Sequence, residues 1–112
     1  MSIEAKVQGN SAQLIIKDRF DASSYQDFKH YYTPLIASSA VRSIEVDVSA
    51  LNYMDSAALG MLMQLDVVAK DAGKTITLIG VPGRVSNILK MAHADKLFTI
   101  NLPNGVKMNL RD

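Results

Sequence analysis

The feature that most constrains the fold is an alternation of strand-like and helix-like segments. Ser43 to Val48 and Thr75 to Ile79 are short runs rich in β-branched residues, as is typical of buried strands. Between them, from about Ser56 to Ala72, apolar residues recur at helical spacing, and Gly73 supplies a C-terminal stop. Two strands joined by a crossover helix run parallel in the sheet, and such crossovers are right-handed. These segments therefore predict a largely parallel sheet.

The beginning of the chain predicts an antiparallel hairpin. Ile3 to Val7 alternates apolar and charged side chains, which indicates a half-buried strand. Gly9-Asn10 suits a tight turn, and a second strand is predicted over Ala12 to Ile16. The segment Asp18 to Asp21 interrupts this pattern, and the Ser23-Ser24 pair is suited to capping a helix.

The first and third helices are predicted from apolar residues at spacings of three and four. Pro34 lies late in the first helix and is expected to kink or end it nearby. The third helix follows a loop over Gly80 to Gly83, and a last strand is expected over Leu97 to Ile100. The positions that define the two helices are Tyr25, Phe28, Tyr32 and Leu35, and Val85, Ile88, Leu89 and Ala92.

The predicted order of elements is therefore β-β-α-β-α-β-α-β. This order predicts a single α/β domain with a four- to five-stranded mixed sheet, an N-terminal antiparallel hairpin and crossover helices. A chain of 112 residues is long enough to bury one hydrophobic core. We expect the domain to span residues 1–102 and residues 103–112 to form a C-terminal tail.

The composition argues against several classes of function. The 12 basic and 11 acidic residues are interspersed, so the chain lacks the basic patch that gathers nucleic acid or anionic lipid. It has no cysteine and no clustered metal ligands. No apolar stretch approaches the ~20 residues that span a bilayer, and the first residues lack the pattern of a secretion signal. We expect a cytoplasmic protein that binds no cofactor, metal, nucleic acid or membrane.

The start of the second predicted helix carries the most information about function. Ser56 stands where this helix begins, directly after Asp55. A serine at such a position is commonly an N-cap that contributes about 1 kcal/mol, and this purely structural interpretation remains open. The alternative is that the Ser56 hydroxyl has a chemical role.

The two faces of the second helix differ in a way that indicates a partner-binding patch. Glycine lets another backbone approach closely, and methionine adapts to varied surfaces. Isolated exposed apolar residues are also normal, so an ordinary solvated face is the competing interpretation. The expected core face is formed by Ala58, Leu62, Leu65, Ala69 and Ala72, and the expected outer face by Ser56, Gly60, Met63 and Val67, flanked by Gln64 and Asp71.

The segment Met54-Asp55-Ser56-x-x-Leu59-Gly60, placed after a strand, resembles the STAS domain, in particular the anti-sigma factor antagonists of bacterial partner-switching systems. The resemblance runs from about Ile3 to Ile100. It includes the initial hairpin, the acidic Asp21 after the second strand, the strand end Val46-Asp47-Val48-Ser49 and the strand exit Gly80-Val81-Pro82.

The resemblance implies a phosphorylation switch at Ser56. In that family the matching serine is phosphorylated by a GHKL-type serine kinase that doubles as the anti-sigma factor. The unmodified form binds this partner, and a PP2C-like serine phosphatase restores it. The expected partner-binding residues are Asp21, Asp55, Ser56, Gly60, Met63, Gln64 and Val67. The family's output is a sigma factor or another effector, such as a regulator of biofilm formation.

The sequence departs from the family pattern at two places. Ala57 and Ala58 follow Ser56 where the family often has serine and glycine, which leaves Ser56 as the one candidate acceptor in the motif. The glycine that commonly precedes the acidic residue is missing before Asp21, for which helix capping is the structural alternative.

Two other functions compete with this interpretation. Ser56 as a catalytic nucleophile would need a base within hydrogen-bond reach, and only His30 and His93 are available. The Gly-x-Ser-x-Gly elbow is also absent, so we expect no enzymatic activity. The stronger alternative is a constitutive STAS accessory subunit of a transport ATPase complex, which would use the second helix as a contact without phosphorylation.

Overall fold

The computed structural model describes residues 1–91 and the short strand Thr99–Asn101. The strands of this part of the chain are β1 (Ser2–Gln8), β2 (Ser11–Phe20), β3 (Ser43–Met54), β4 (Thr75–Ile79) and β5 (Thr99–Asn101). The helices are α1 (Tyr25–Ala37), which follows a short 3-10 turn (Ala22–Ser24), α2 (Ser56–Asp71) and α3 (Gly83–Met91). The predicted Ala92 position, residues 97 and 98 of the last predicted strand, and the predicted tail lie outside the described residues.

The strands form one mixed sheet whose spatial order, β1-β2-β3-β4-β5, is the order of the chain. β1 and β2 are antiparallel, and the Gly9-Asn10 turn joins them. The pairs β2–β3, β3–β4 and β4–β5 are parallel, with helices as crossovers. The predicted four- to five-stranded α/β sheet with an N-terminal hairpin is therefore confirmed.

β2 and β3 are much longer than the sequence pattern predicts. β2 continues to Phe20 and β3 to Met54, so the prediction that the strand pattern ends before Asp18 is wrong. The simple alternation is lost because the β2–β3 register shifts between Ile15 and Lys17 and again between Asp18 and Arg19. Asp18 adopts a positive φ of 71°, which is typical of such local irregularities.

The core lies between one face of the sheet and the helices. Phe28, the centre of the α1 stripe, packs its ring 5.0 Å from Phe20 at the end of β2 and 5.2 Å from Tyr32. These aromatic contacts fasten α1 to the strand that precedes it. The predicted stripe is confirmed, with Phe28, Tyr32 and Leu35 buried and Tyr25 partly buried. Alternate residues of the three central strands, including Leu14, Val46 and Leu78, complete the core.

α2 buries a wide face against this core, and most of the predicted core face is confirmed. Ala58, Leu62, Leu65 and Ala69 are buried, but Ala72 is exposed because it forms the C-cap after the helix has ended. The buried face is also wider than predicted: it includes Leu59, Met61 and Asp66. At this margin the Asp66 carboxylate forms an ion pair with Lys70, at an O–N distance of 2.8 Å.

β1 is less buried than its alternation predicts. Ile3 is partly buried against the core, whereas Ala5 and Val7 are exposed, and Val7 keeps 57% of its surface accessible. β1 occupies the outer edge of the sheet, so its core-side residues receive less helix cover than those of β2. The prediction of a half-buried strand is thus wrong for its second half.

Candidate partner-binding and phosphorylation site

The candidate site lies at the edge of the sheet where β2 and β3 end. Phe20 and Met54, the last residues of the two strands, pair in register and are both buried. An aspartate follows each strand: Asp21 precedes the turn that leads into α1, and Asp55 precedes α2. The topology therefore places the 3-10 turn that leads into α1 beside the start of α2, and an aspartate caps each of them.

Asp55, and not Ser56, is the N-cap of α2. The extended backbone of Asp55 directs its carboxylate to accept a hydrogen bond from the Ala58 N–H at 3.0 Å. This geometry satisfies one of the free N–H groups of the first turn and excludes Ser56 from that role. The structural interpretation of Ser56 as a cap is therefore wrong.

Ser56 is the first helical residue of α2, and it is exposed. Among residues 1–91 and 99–101, its hydroxyl makes no hydrogen bond. The side chain stands beside the positive end of the helix dipole, where anionic groups are tolerated. Ser56 is consequently available for chemistry in a way that a capping serine would not be.

Asp21 has the capping role that the sequence left open as its alternative. Its carboxylate accepts from the backbone N–H of Ser23 at 3.0 Å and from the Ser23 hydroxyl, while its own N–H donates to the Ser24 hydroxyl at 3.2 Å. The Arg19 guanidinium lies 3.4 Å from the same carboxylate. The hydrogen bond from the Ser23 hydroxyl lowers the pKa of Asp21 below its ordinary value of 3.8, and the Ser23 N–H and Arg19 add to this shift.

The outer face of α2 is exposed as predicted. Ser56, Gly60 and Gln64 are open to solvent, and Met63 and Val67 expose 39% and 58% of their surface. A Cβ built on Gly60 would meet no atom within 4 Å, so neither crowding nor an unusual φ requires glycine there. These five residues, which we name the α2 face, form one continuous strip along the helix.

Two exposed residues that the sequence analysis did not identify lie at the ends of β2 and β3, just before the two aspartates. Arg19 on β2 and Tyr53 on β3 pair in register, and the guanidinium carbon lies 4.3 Å from the centre of the Tyr53 ring. Tyr53 exposes 41% of its surface. In the sequence, Tyr53 is recognisable only as a tyrosine immediately before the Met54-Asp55-Ser56 segment. Its contact with Arg19 depends on the extended ends of β2 and β3, which the alternation of apolar and polar residues does not reveal.

The neighbouring loop after β4 has a structural role. Gly80 has a φ of +71°, and a Cβ there would lie 2.7 Å from the Ser49 side chain, so glycine is required for β4 to leave the sheet past β3. Asp47 accepts from the Ser49 N–H and hydroxyl at 2.9 and 2.7 Å. Arg84 donates to the Leu51 carbonyl at 2.7 Å, which holds the extended end of β3 that carries Tyr53.

The geometry gives no support to a nucleophile or metal centre at this edge. His30 lies on the exposed surface of α1, and no hydrogen bond joins it to Ser56 in the part of the chain that the structure describes; His93 lies outside that part. Within the same residues, no group of three or more acidic or histidine side chains is arranged to hold a metal ion. Likewise, no described helix is both long and apolar enough to cross a bilayer.

Comparison with known proteins agrees with this architecture. A family model described as Mlab, STAS domain, matches residues 3–102. The chain belongs to the STAS domain family. A STAS-domain containing protein of Pseudomonas aeruginosa (strain UCBPP-PA14) is 32% identical over 93 residues, which cover 83% of this chain and 90% of that protein.

Solved STAS-like structures share the fold at low sequence identity. An anti-sigma factor antagonist from Mycobacterium paratuberculosis superposes with a TM-score of 0.76 at 14% identity, covering 91% of this chain and 85% of that chain. The Bacillus protein SpoIIAA in its phosphorylated form gives 0.70 at 12% identity, with coverages of 92% and 94%. The anti-sigma factor antagonist SpoIIAA in its unphosphorylated form gives 0.67 at 13%, with coverages of 80% and 83%. At these identities the likeness establishes a common fold.

Proposed function

We propose that this STAS domain is a partner-switching regulator of the anti-sigma factor antagonist kind, without enzymatic activity of its own. Its unphosphorylated form binds a GHKL-type serine kinase that doubles as an anti-sigma factor, and phosphorylation of Ser56 releases this partner. A PP2C-like serine phosphatase resets the switch. The Ser56 hydroxyl carries the proposal, because it is exposed, makes no hydrogen bond to the residues that the structure describes, and stands at the head of an exposed helix face.

The α2 face supports the proposal through its composition. Gly60 lies inside a helix, where glycine is about 1 kcal/mol less favourable than alanine, yet the fold leaves free space around it. A close-approaching partner is a physical reason to keep a glycine there. Met63 and Val67 add exposed apolar area on the same strip, and Gln64 adds a hydrogen-bonding group.

Arg19 and Tyr53 extend the proposed contact from α2 onto the ends of the strands. Arginine and tyrosine are the residue types that most often dominate binding energy at interfaces. Stacking on Tyr53 and pairing with Asp21 hold the Arg19 guanidinium in place, so little side-chain entropy is lost on docking. Asp21 and Asp55 act in this surface as caps that fix the two helix starts.

The phosphate would disable the contact without unfolding the domain. Phosphoserine adds about −1.5 to −2 charges. At the first residue of a helix these charges face free N–H groups and the positive dipole end, so the fold tolerates them. In the interface, the same charges stand next to Asp55 and must be desolvated beside apolar side chains. A loss of about 3 kcal/mol weakens binding more than a hundredfold.

The test uses the purified host kinase of this class and the full chain. We expect ATP-dependent phosphorylation of the wild type, mapped by peptide mass to Ser56, and none of Ser56→Ala. Ser56→Asp is expected to lose kinase binding, whereas Ser39→Asp, an exposed serine in the loop before β3, is expected to bind normally. Ser56→Asp binding as well as the wild type would contradict the switch. Such a result, together with a stoichiometric transport ATPase partner, would support a constitutive accessory subunit.

The docking surface is tested separately from the phosphorylation. Met63→Glu and Val67→Glu are expected to weaken kinase binding by at least about tenfold each, because a charge replaces buried apolar contact. Met91→Glu on α3 is the matched control, since Met91 is an even more exposed methionine outside the α2 face. Unchanged binding of both α2 variants would remove the α2 face from the interface.

A further inference from the structure

The outer edge of β1 is open in the part of the chain that the structure describes. β1 is the first strand in the sheet order, and β2 is its one strand partner among these residues. Such an edge presents a row of backbone groups that another strand can pair with. Val7, with more than half of its surface exposed, adds an apolar side chain on the same strand.

The sequence of β1 is complementary to itself when it is read in reverse. If two copies pair in antiparallel fashion with Ala5 opposite Ala5, then Ile3 lies opposite Val7 and Glu4 lies opposite Lys6. Apolar residues meet apolar residues, and each carboxylate meets an ammonium group. Directly opposite pairs of these kinds stabilise antiparallel strands, whereas like charges in the same positions destabilise them.

The backbone has the correct phase for this pairing. Gln8 and Ser11 pair across the two-residue turn, so they form the hydrogen-bonded pair that closes the hairpin. By alternation, the backbone groups of Lys6 and Glu4 also point toward β2, and those of Val7, Ala5 and Ile3 point outward. The Ala5-centred arrangement therefore brings outward-pointing donors and acceptors of one copy against those of the other.

We propose that the chain self-associates through antiparallel β1–β1 pairing about a twofold axis at Ala5, so that one continuous sheet runs through both copies. Side-chain pairing, charge complementarity and backbone phase all select this register. Shifting the pairing by one residue along the strand would lose the Glu4–Lys6 pairs. The edge is short, so the dimer is reversible and depends on concentration.

This dimer leaves the proposed regulatory site free. α1 contacts β1, whereas α2 contacts β4, which lies toward the opposite edge of the sheet. Two α2 faces would therefore be displayed by one dimer. The inference does not depend on phosphorylation of Ser56 and stands or fails separately from it.

The proposed register can be tested by exchanging the charges at positions 4 and 6. Sedimentation velocity over a concentration series measures the dissociation constant of the dimer. Glu4→Lys and Lys6→Glu each place like charges opposite one another twice in the dimer, so each is expected to raise the dissociation constant by about tenfold or more. An equimolar mixture of these two variants is expected to form a heterodimer. The double variant Glu4→Lys with Lys6→Glu is expected to regain self-association. Lys29→Glu, on the exposed side of α1, is the charge-matched control.

A backbone variant tests the same pairing without any charge. Ala5→Pro removes an outward-pointing N–H, which the hairpin does not use, so the monomer is expected to keep its circular dichroism and lose dimerisation. A wild-type chain that stays monomeric up to millimolar concentration would overturn the proposal. A dimer that persists in Ala5→Pro and in both single charge variants would overturn it as well. A variant whose circular dichroism differs from that of the wild type is left out. The mixture of Glu4→Lys and Lys6→Glu then decides whether the β1 edges pair.

Discussion

The starts of α1 and α2 offer an internal comparison, because two neighbouring strands end in register and an aspartate follows each of them. At the 3-10 turn that leads into α1, the serines belong to the cap: Ser23 donates to Asp21, and Ser24 accepts from the Asp21 N–H. At the start of α2, Asp55 caps the helix without help from a serine. The Ser56 hydroxyl is left uncommitted in the residues described.

Of these three serines, Ser56 is the one available for modification. Phosphorylation of Ser24 would require a buried side chain to leave its hydrogen bond, and phosphorylation of Ser23 would set a phosphate against the Asp21 carboxylate. Ser56 can accept a phosphate without breaking a cap. An aspartate with a serine close behind it thus serves stability in the turn before α1 and, as we propose, regulation at the start of α2.

The largest expected effect separates the two helix starts by partner binding. Ser56→Asp is expected to weaken binding to the kinase partner by more than a hundredfold, or about 3 kcal/mol, because it adds a charge to the α2 face. Ser23→Ala, which trims the α1 cap, is expected to bind normally once its folding is verified. Isothermal titration calorimetry measures the kinase affinity of both variants. Equal losses of affinity would contradict the proposed difference between the two helix starts.

The next effect concerns the stability of the two caps. Asp55→Ala is expected to lower the free energy of unfolding by about 1 kcal/mol, since it frees one N–H of the first α2 turn. Asp21→Ala is expected to be more destabilising, because it removes contacts to Ser23 and Arg19 as well. Urea unfolding at neutral pH measures both, and the reverse ranking would contradict our description of the α1 cap.

The serines next to the two capping aspartates are expected to show the same asymmetry in stability. Ser24→Ala is expected to cost about 1 kcal/mol, because the buried hydroxyl accepts from the Asp21 N–H. Ser56→Ala is expected to change stability by less than about 0.5 kcal/mol, because Ser56 is exposed and its hydroxyl makes no hydrogen bond within residues 1–91 and 99–101. A destabilising Ser56→Ala would indicate that this hydroxyl has a structural partner after all.

The smallest expected effect is a dependence of stability on pH. The folded-state pKa of Asp21 is lowered, so its contribution is complete above the ordinary pKa of 3.8 and is lost as the pH falls through the lower folded value. The wild type is therefore expected to lose more stability than Asp21→Asn on acidification below about pH 5. Parallel slopes for the two proteins in acid urea titrations would show that the Asp21 charge is not part of the cap.

The sequence was most informative where local pattern and burial agree. The bounds of β4 follow from its β-branched residues. The exposure of Gly60, Met63 and Val67 follows from helical periodicity, because a helix exposes its residues at fixed angles. The error at Ala72 arose because periodicity alone does not show where a helix stops covering the core.

The ends of β2 and β3 could not be predicted from the sequence alone. Their residues follow no simple alternation, because register shifts and the positive φ of Asp18 change which side chains point inward. The Arg19–Tyr53 contact depends on this extension and was missed for the same reason. The sequence also left open whether Ser56 is a cap, since both aspartate and serine are favourable caps and only backbone geometry selects Asp55.

Phosphorylation of Ser56 is tested most directly by intact mass analysis with peptide mapping of the protein purified from its native host under several growth conditions. We expect a fraction that carries one phosphate, located on Ser56, with Ser23 and Ser24 unmodified, and we expect the Ser56→Ala protein to lack this fraction. Absence of phosphate under every condition, or a phosphate on Ser23 or Ser24 instead, would contradict the proposed switch.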